Sequence, residues 1–265
     1  METNFKKMNP DCRLLIGERT TLRENIVFGP NCRNIKIGFG CFLGRDLYID
    51  IEELSIGDYT TIHHGSILHG KKTEIGSNCW IGHYSIIDSL GGFTKICNNV
   101  GIGAHSQVWS HMKFGDVLAG CQWNSSGSVL LEDDVWLVGH TIIGPIHAKE
   151  KSMLMTGGVA IKNMEANCIY AGSPASDVSG RLGRQFIETT FHEKKVLFDK
   201  LKDEYTKVTG RPTSSFVSVD SFSPNVNVTQ FNLEKRTYIP RYCEEEYHFM
   251  KFLLYDKAKF IPVSE

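Results

Sequence analysis

At 265 residues, 41% of them hydrophobic, the chain is long enough for one large domain or for a domain with an appendage. The formal net charge of −1 gives no electrostatic reason to expect nucleic acid or an anionic membrane surface as partner. No stretch has the apolar length of a membrane span, and the polar first residues lack the apolar core of a secretion signal. These features predict a soluble cytoplasmic protein with no nucleic-acid or membrane partner.

The dominant feature is a six-residue phrase that returns in phase along the first two-thirds of the chain. Each phrase opens with a large apolar residue, usually followed by Gly, and has a small or β-branched residue at its fifth place. Copies begin at Leu22, Phe28, Ile37, Ile56, Ile75, Ile81, Ile102 and Leu131. A fixed period determines the architecture before any local propensity does. Six is neither a helical period nor strand alternation, and it fits a coil with three short flat faces per turn and inward-pointing apolar residues.

The period has several interruptions before its middle. Residues 1–14 are expected to lead into the first coil or to cap it. Extra residues at 45–53 and 70–73 are expected to bulge at a corner, and residues 88–93 form a short excursion.

The largest interruption lies between Ser110 and Leu130. Long insertions without secondary structure in a compact solenoid are usually functional or disordered. This insertion contains apolar residues that are unfavourable in water, namely Phe114, Val117, Leu118, Cys121 and Trp123. We therefore expect a packed lid or a contact with a neighbouring chain.

After Ala175 the six-residue period disappears, which divides the chain into a repeat domain at 1–175 and an appendage at 176–265. Apolar residues at three- and four-residue spacings predict an amphipathic helix within 183–208, ended by Gly210 and Pro212. Alternation over 215–222 and 226–233 predicts a β-hairpin, and helical spacing returns over 241–258. The appendage is thus predicted to be a small α+β unit.

The eight cysteines do not suggest a disulfide framework. Cys32, Cys41 and Cys79 occupy the small-residue place of the repeat, where a compact apolar side chain packs well. No C-x-x-C pair is present, so a structural zinc site is not expected. All eight are predicted to be reduced and mostly buried.

The phrases resemble the hexapeptide repeat of the left-handed parallel β-helix acyltransferases, and the closing segment Ile169 to Ala175 is similar to that family's end-of-helix signature. The resemblance implies an all-β solenoid, a left-handed parallel β-helix of hexapeptide repeats. It further implies transfer of an acetyl group from acetyl-CoA to a hydroxyl or amine of a sugar, a nucleotide sugar or a similar small acceptor. Such columns usually form homotrimers, because the coenzyme groove needs walls from two adjacent chains.

In this family a histidine beside the mid-column loop acts as the general base, within a segment that reads apolar-x-Thr/Ser-His. Val108-Trp109-Ser110-His111 matches that segment, so the resemblance implies His111 as the base. Imidazole suits the role because it titrates near neutral pH. Two alternatives stay open, that His111 merely hydrogen-bonds within its loop or that His105, one repeat earlier at a corner, is the base.

The resemblance also implies a coenzyme A groove downstream of the base. The matching positions are Gly139, Thr156, Gly157 and Lys162, with backbone groups contacting the pantetheine arm and the lysine meeting phosphate. Glycine lets a ligand approach the backbone closely, although corner geometry explains the same glycines equally well. Trp136 either stacks against a substrate ring or fills a face of the coil.

Two other functions are compatible with this fold. A carbonic-anhydrase-like zinc hydratase needs three histidines, and His64 and His69 have the required gap, but no histidine precedes His63 to complete the triad. No metal is therefore expected. A non-catalytic scaffold is the remaining alternative, and it predicts no coenzyme A binding and no dependence on His111.

Overall fold

The computed structural model describes residues 5–224 and 227–263. The chain separates into two compact units, with the division between Phe186 and Ile187. The six-residue period ends earlier, at Ala175, and a domain boundary there stays a prediction. Among the described residues, no helix combines the length and the apolar character needed to cross a membrane.

The first unit is a left-handed parallel β-solenoid of about nine turns, as the repeat predicts. Its coils present three faces. The first face contains the strands Phe5–Lys7, Ile26–Phe28, Tyr48–Ile56, Ile67–Ile75, Ile86–Ser89, Gln107–Val108, Ile142–Ile143 and Val159–Ala160. The second contains Arg13–Ile16, Asn34–Ile37, the latter halves of Tyr48–Ile56 and Ile67–Ile75, Thr94–Ile96, Val129–Leu131 and His147–Ala148.

The third face contains Thr21–Leu22, Phe42–Leu43, Thr61–Ile62, Trp80–Ile81, Gly101–Ile102, Trp136–Leu137, Met153–Leu154 and Ile169–Gly172. Its last strand pairs in antiparallel orientation with Ala175–Asp177. This short strand pairs with the edge that the final coil would otherwise expose.

The core is made of aliphatic side chains stacked in register from coil to coil. On the third face the parallel pairing aligns one inward residue of each turn, and the aligned residues are Ile62, Ile81, Ile102, Leu137 and Leu154. All five are completely buried. Burial of one such side chain stabilises a fold by about 1.5–3 kcal/mol, so the first place of each phrase carries much of the stability.

The three corners of the coil differ in geometry. We call the corner between the first and second faces the first corner, that between the second and third faces the second corner, and that between the third and first faces the third corner. The second and third corners repeatedly use left-handed residues, among them Asn78 and Asn99 at the second and Tyr84 and His105 at the third. These corners are therefore regular, and the first corner is the place where the chain inserts additional residues.

The predicted bulges at 45–53 and 70–73 are absent, and that prediction was wrong. Tyr48–Ile56 and Ile67–Ile75 are continuous nine-residue strands that pass from the first face to the second while remaining paired with each other. Extended strand geometry accommodates the extra residues without an excursion.

The cysteines behave as predicted. All eight are free thiols; Cys12, Cys32, Cys41, Cys79 and Cys168 are buried and the other three are half-buried. Burial raises the pKa of Cys32, which keeps that thiol protonated and unreactive.

The second unit contains the helices Phe191–Thr209 and Glu244–Leu253 and the strands Phe216–Ser218, Thr229–Asn232, Thr237–Tyr238 and Ile261–Pro262; a short helix, Ser179–Leu182, belongs to the first unit. Thr190 and Glu193 form a reciprocal capping box at the start of the longer helix, and Gly210 ends that helix in the left-handed conformation. The predicted hairpin was wrong, because Phe216–Ser218 and Thr229–Asn232 are parallel. Asn225 and Val226, in the connection between them, lie outside the described residues.

Candidate active site

His111 lies at the first corner, where the chain leaves the coil. It follows the strand Gln107–Val108 and begins the short strand His111–Met112, which pairs in antiparallel orientation with Ser125–Ser126. The insertion is thus a β-hairpin arm, residues 111–126, rather than a structureless loop. The His111 side chain is 23% exposed, so part of it is accessible from outside the coil.

A buried carboxylate holds this imidazole in place. Asp88 lies in the first-face strand Ile86–Ser89 of the preceding coil and is completely buried. Its Oδ2 lies 2.9 Å from Nδ1 of His111 and also accepts hydrogen bonds from the Ser110 hydroxyl and, at 2.9 Å, from the Ser110 N–H. Its Oδ1 accepts from the Leu90 N–H at 3.1 Å and lies 3.6 Å from Nδ1 of His69.

The balance of forces keeps Asp88 ionised. Burial is the largest single influence and raises the pKa of its carboxyl. Hydrogen bonds from Ser110, from His111 and from the Leu90 N–H together outweigh burial, so the pKa of Asp88 lies below its ordinary value. An ionised carboxylate beside Nδ1 favours the tautomer in which Nδ1 carries the proton and Nε2 carries the free lone pair.

Trp109 forms a wall beside both histidines at this corner. Its ring lies edge-on to His111, with 6.1 Å between centroids, and to His69, with 6.2 Å. Its indole N–H donates to the side-chain oxygen of Gln107 at 2.9 Å, which fixes the ring. The site therefore combines two partly exposed imidazoles, one buried anion and one aromatic surface.

The remaining predicted site residues divide between two corners. Lys162 lies exposed at the first corner, two coils beyond His111. Gly139, Thr156 and Gly157 lie at the third corner, and an added side-chain carbon at Gly157 would meet open space. A single chain therefore does not bring these three together with His111.

Trp136 points outward from the third face and is 43% exposed, so it does not fill the interior of the coil. Its indole packs over Gly101 of the preceding coil, where an added Cβ would lie 3.1 Å from the ring. It offers an aromatic surface to a ligand or a neighbouring chain.

His105 has a different environment from His111. It lies exposed at the third corner, stacked between Tyr84 and His140 with ring centroids 5.4 and 4.9 Å away. In the part of the chain that the structure describes, no carboxylate pairs with it. Of the two candidate bases, only His111 is oriented by a buried anion.

The two histidines considered for a zinc hydratase have separate partners. Nδ1 of His64 accepts a hydrogen bond from the Arg45 N–H at the third corner, whereas His69 lies beside Asp88 at the first. They do not converge as ligands within residues 5–224 and 227–263.

Sequence reasoning missed Asp88, which it treated as part of a short excursion. The signal was available in the coil length, because Ile87 and Val108 occupy equivalent positions of successive coils. Residues that follow them must then meet at the same corner.

No protein-family model matches the chain. Among curated proteins it is similar to the bifunctional protein GlmU of Paraburkholderia xenovorans, with 26% identity over 171 residues, covering 60% of this chain and 36% of that protein. GlmU of Paraburkholderia phytofirmans is 22% identical over 168 residues with the same coverage. The chain thus spans about a third of the length of the curated relatives it matches.

Among solved structures, the chain is similar to AntD, an N-acyltransferase from Bacillus cereus in complex with dTDP and 3-hydroxybutyryl-CoA. The identity is 20%, the TM-score is 0.47, and the match covers 66% of this chain and 92% of AntD. With its in-phase six-residue phrases and its three-faced parallel coil, the chain has the left-handed parallel β-helix fold.

Proposed function

We propose that the chain is an acyl-CoA-dependent acetyltransferase that uses acetyl-CoA and a small hydroxyl- or amine-bearing acceptor, of the sugar or nucleotide-sugar class, with His111 as general base. The observation that carries the proposal is the buried, ionised Asp88 hydrogen-bonded to Nδ1 of a partly exposed imidazole. A merely structural histidine does not need a buried anion to select its tautomer. The resemblance to hexapeptide-repeat acyltransferases supplies the reaction class.

The geometry supports a simple sequence of proton movements. Nε2 of His111 takes the proton from the acceptor as its oxygen or nitrogen attacks the thioester carbonyl. The tetrahedral intermediate then collapses, the C–S bond breaks, and the imidazolium returns the proton to the leaving thiolate of coenzyme A. Asp88 stabilises the imidazolium while it exists, because the carboxylate accepts the Nδ1–H throughout.

The donor is proposed to lie in a groove with walls from two chains. Gly139, Thr156 and Gly157 are at the third corner and His111 is at the first. A second column is therefore needed to bring the donor-binding residues of one chain opposite His111 of another. A homotrimer provides three equivalent grooves of this kind. The exposed apolar tip of the arm favours the same assembly, since Phe114, Leu118 and Trp123 are uncovered in one chain.

The test is a coenzyme A release assay. Purified full-length chain is supplied with acetyl-CoA and, in parallel, with nucleotide sugars, free sugars and amino acids. We expect acceptor-dependent thiol release with at least one of these classes, and mass spectrometry should find the acetylated acceptor. If acetyl-CoA neither stabilises the chain against heat nor turns over with any acceptor class, the proposal is wrong.

A further inference from the structure

We propose that His63, His64 and His83 form a binding site for one divalent transition-metal ion of the Zn²⁺ type at the third corner. Each residue offers one ring nitrogen, and the three nitrogens lie within 4.8 Å of one another. Imidazole is a preferred ligand of zinc and its neighbours, and three protein ligands leave the fourth tetrahedral position for water. Two ligand nitrogens of a tetrahedral zinc lie about 3.4 Å apart, so small side-chain rotations would close the site.

The coil itself produces this convergence. Thr61–Ile62 and Trp80–Ile81 are paired strands of successive turns, so the second residue after each strand, His64 or His83, occupies the same corner position. His63 immediately precedes His64, and its ring lies 4.5 Å from that of His83. The ring centroids of His64 and His83 are 5.1 Å apart. A metal bound here would join two adjacent coils.

A second, independent observation at His63 also indicates that a ligand binds at this corner. Its Nδ1 is buried and has no hydrogen-bond partner among residues 5–224 and 227–263. The ring packs beside Trp80 at 5.3 Å and Phe42 at 5.9 Å between centroids, and neither hydrogen-bonds to this nitrogen. Buried polar atoms without partners are rare, and a coordinate bond within the cluster accounts for this one.

The electrostatics also favour neutral imidazole rings, which can bind a metal cation, over protonated rings. Burial, followed by the proximity of His83 and His64, lowers the pKa of His63 to about 4. Burial likewise lowers the pKa of His83. Both rings are therefore neutral at physiological pH and can offer lone pairs to a metal without first losing a proton.

His64 is expected to be the weakest of the three ligands. Its Nδ1 accepts a hydrogen bond from the Arg45 N–H at 2.9 Å, so in the neutral ring the proton sits on Nε2. Binding through either nitrogen breaks that hydrogen bond, because a ring with one proton has one lone pair. Arg45 is exposed, so water can take over its N–H.

Other histidines near the column are already engaged. His111 pairs with Asp88, and His147 pairs with Glu132 through its Nε2 at 2.6 Å. In the described part of the chain no carboxylate pairs with His63, His64 or His83. His147 therefore serves as a matched control, since it is a half-buried histidine on the same solenoid that already pairs with a carboxylate.

The test uses the full chain without a polyhistidine tag, stripped of metal with a chelator. Zn²⁺ is titrated by calorimetry and Co²⁺ by visible absorption. We expect one ion per chain and the absorption of four-coordinate cobalt. His63→Ala and His83→Ala should raise Kd by about 10- to 100-fold or more, His64→Ala by less, and His147→Ala should leave Kd unchanged.

Folding is checked separately by circular dichroism, and His83→Gln replaces His83→Ala if the alanine variant fails to fold. Absence of saturable binding by the unaltered chain overturns the proposal. The proposal is also overturned if the His63→Ala and His83→Ala variants bind Zn²⁺ with the same affinity as the unaltered chain. Neither result depends on acyl transfer, so the site and the enzymatic activity are tested independently.

Discussion

Oδ2 of Asp88 lies 2.9 Å from Nδ1 of His111, although the two residues belong to successive coils and their side chains meet only because those coils stack in register. The carboxylate is completely buried and the imidazole is partly exposed. This asymmetry suits the proposed general base, since the anion stays dry and fixed while part of the imidazole is left accessible.

Replacement of the base should abolish transfer without harming the fold. We expect His111→Ala to lower kcat by about 10²–10⁴-fold, the usual contribution of a positioned general base. The chain should remain folded, with a melting temperature lowered only modestly by the lost hydrogen bond to the buried Asp88 carboxylate. Steady-state thiol release and a thermal scan of the same preparation provide both measurements. Retained turnover would instead assign the base elsewhere, with His105→Ala as the next variant.

Asp88→Asn should separate positioning from stability. An amide can still accept from Ser110, but it no longer holds the Nδ1–H tautomer or stabilises an imidazolium. We expect a kcat loss with little change in KM, together with a destabilisation of about 1–3 kcal/mol from the altered buried hydrogen bonds. Glu132→Gln, which alters the analogous pair with His147 at the second corner, is the matched control and should leave kcat unchanged.

The lowered pKa of Asp88 also predicts a pH dependence of stability. A carboxyl whose pKa is lower in the folded chain than the ordinary 3.8 stabilises the fold above that value, and the contribution disappears as the pH falls through the folded pKa. The difference in unfolding free energy between the unaltered chain and Asp88→Asn should therefore shrink as the pH falls below about 4. Urea titrations above and below that pH measure it, and a difference that does not shrink below about pH 4 would contradict the assignment.

Much of the fold followed from the period alone. Ile81 and Ile102 open phrases and are completely buried, since the inward position of a three-faced coil is set by spacing. The corner at 45–53 was mispredicted because a nine-residue strand can turn there without a bulge. The hairpin in the second unit failed for a related reason, because alternation identifies strands but not the direction in which they pair.

The site was less accessible to sequence reasoning. The local segment led to the proposal of His111, but its partner Asp88 is distant in sequence and becomes adjacent only through coil stacking. The histidines at 63, 64 and 83 were interpreted as ordinary corner residues, because their spacing in the sequence does not show that two turns of the coil bring them together. That Gly139 and Lys162 lie at different corners is likewise apparent only from the three-dimensional coil.

The stacked core gives a prediction for stability. Leu137 is completely buried between the aligned residues Ile102 and Leu154 of the neighbouring coils. Leu137→Ala should cost about 2–5 kcal/mol in unfolding free energy, from lost burial and from the cavity left behind. Ile161→Ala, at an exposed position, should change it by no more than about 0.5 kcal/mol. Denaturant unfolding compares the two variants, and equal losses would mean that the register of the core is different.

The arm gives a prediction for assembly. Phe114 and Leu118 at its tip are almost fully exposed, and Trp123 is largely exposed, which is unfavourable unless another surface covers them. If they pack on a neighbouring column, the double variant Leu118→Ser, Trp123→Ser should have a lower molar mass in light scattering and a lower kcat, because each groove loses its second wall. Ile187→Ser removes a similarly exposed apolar side chain outside the arm and should change neither quantity. An unaltered chain that is monomeric yet active would show that one column is sufficient and that the arm has another role.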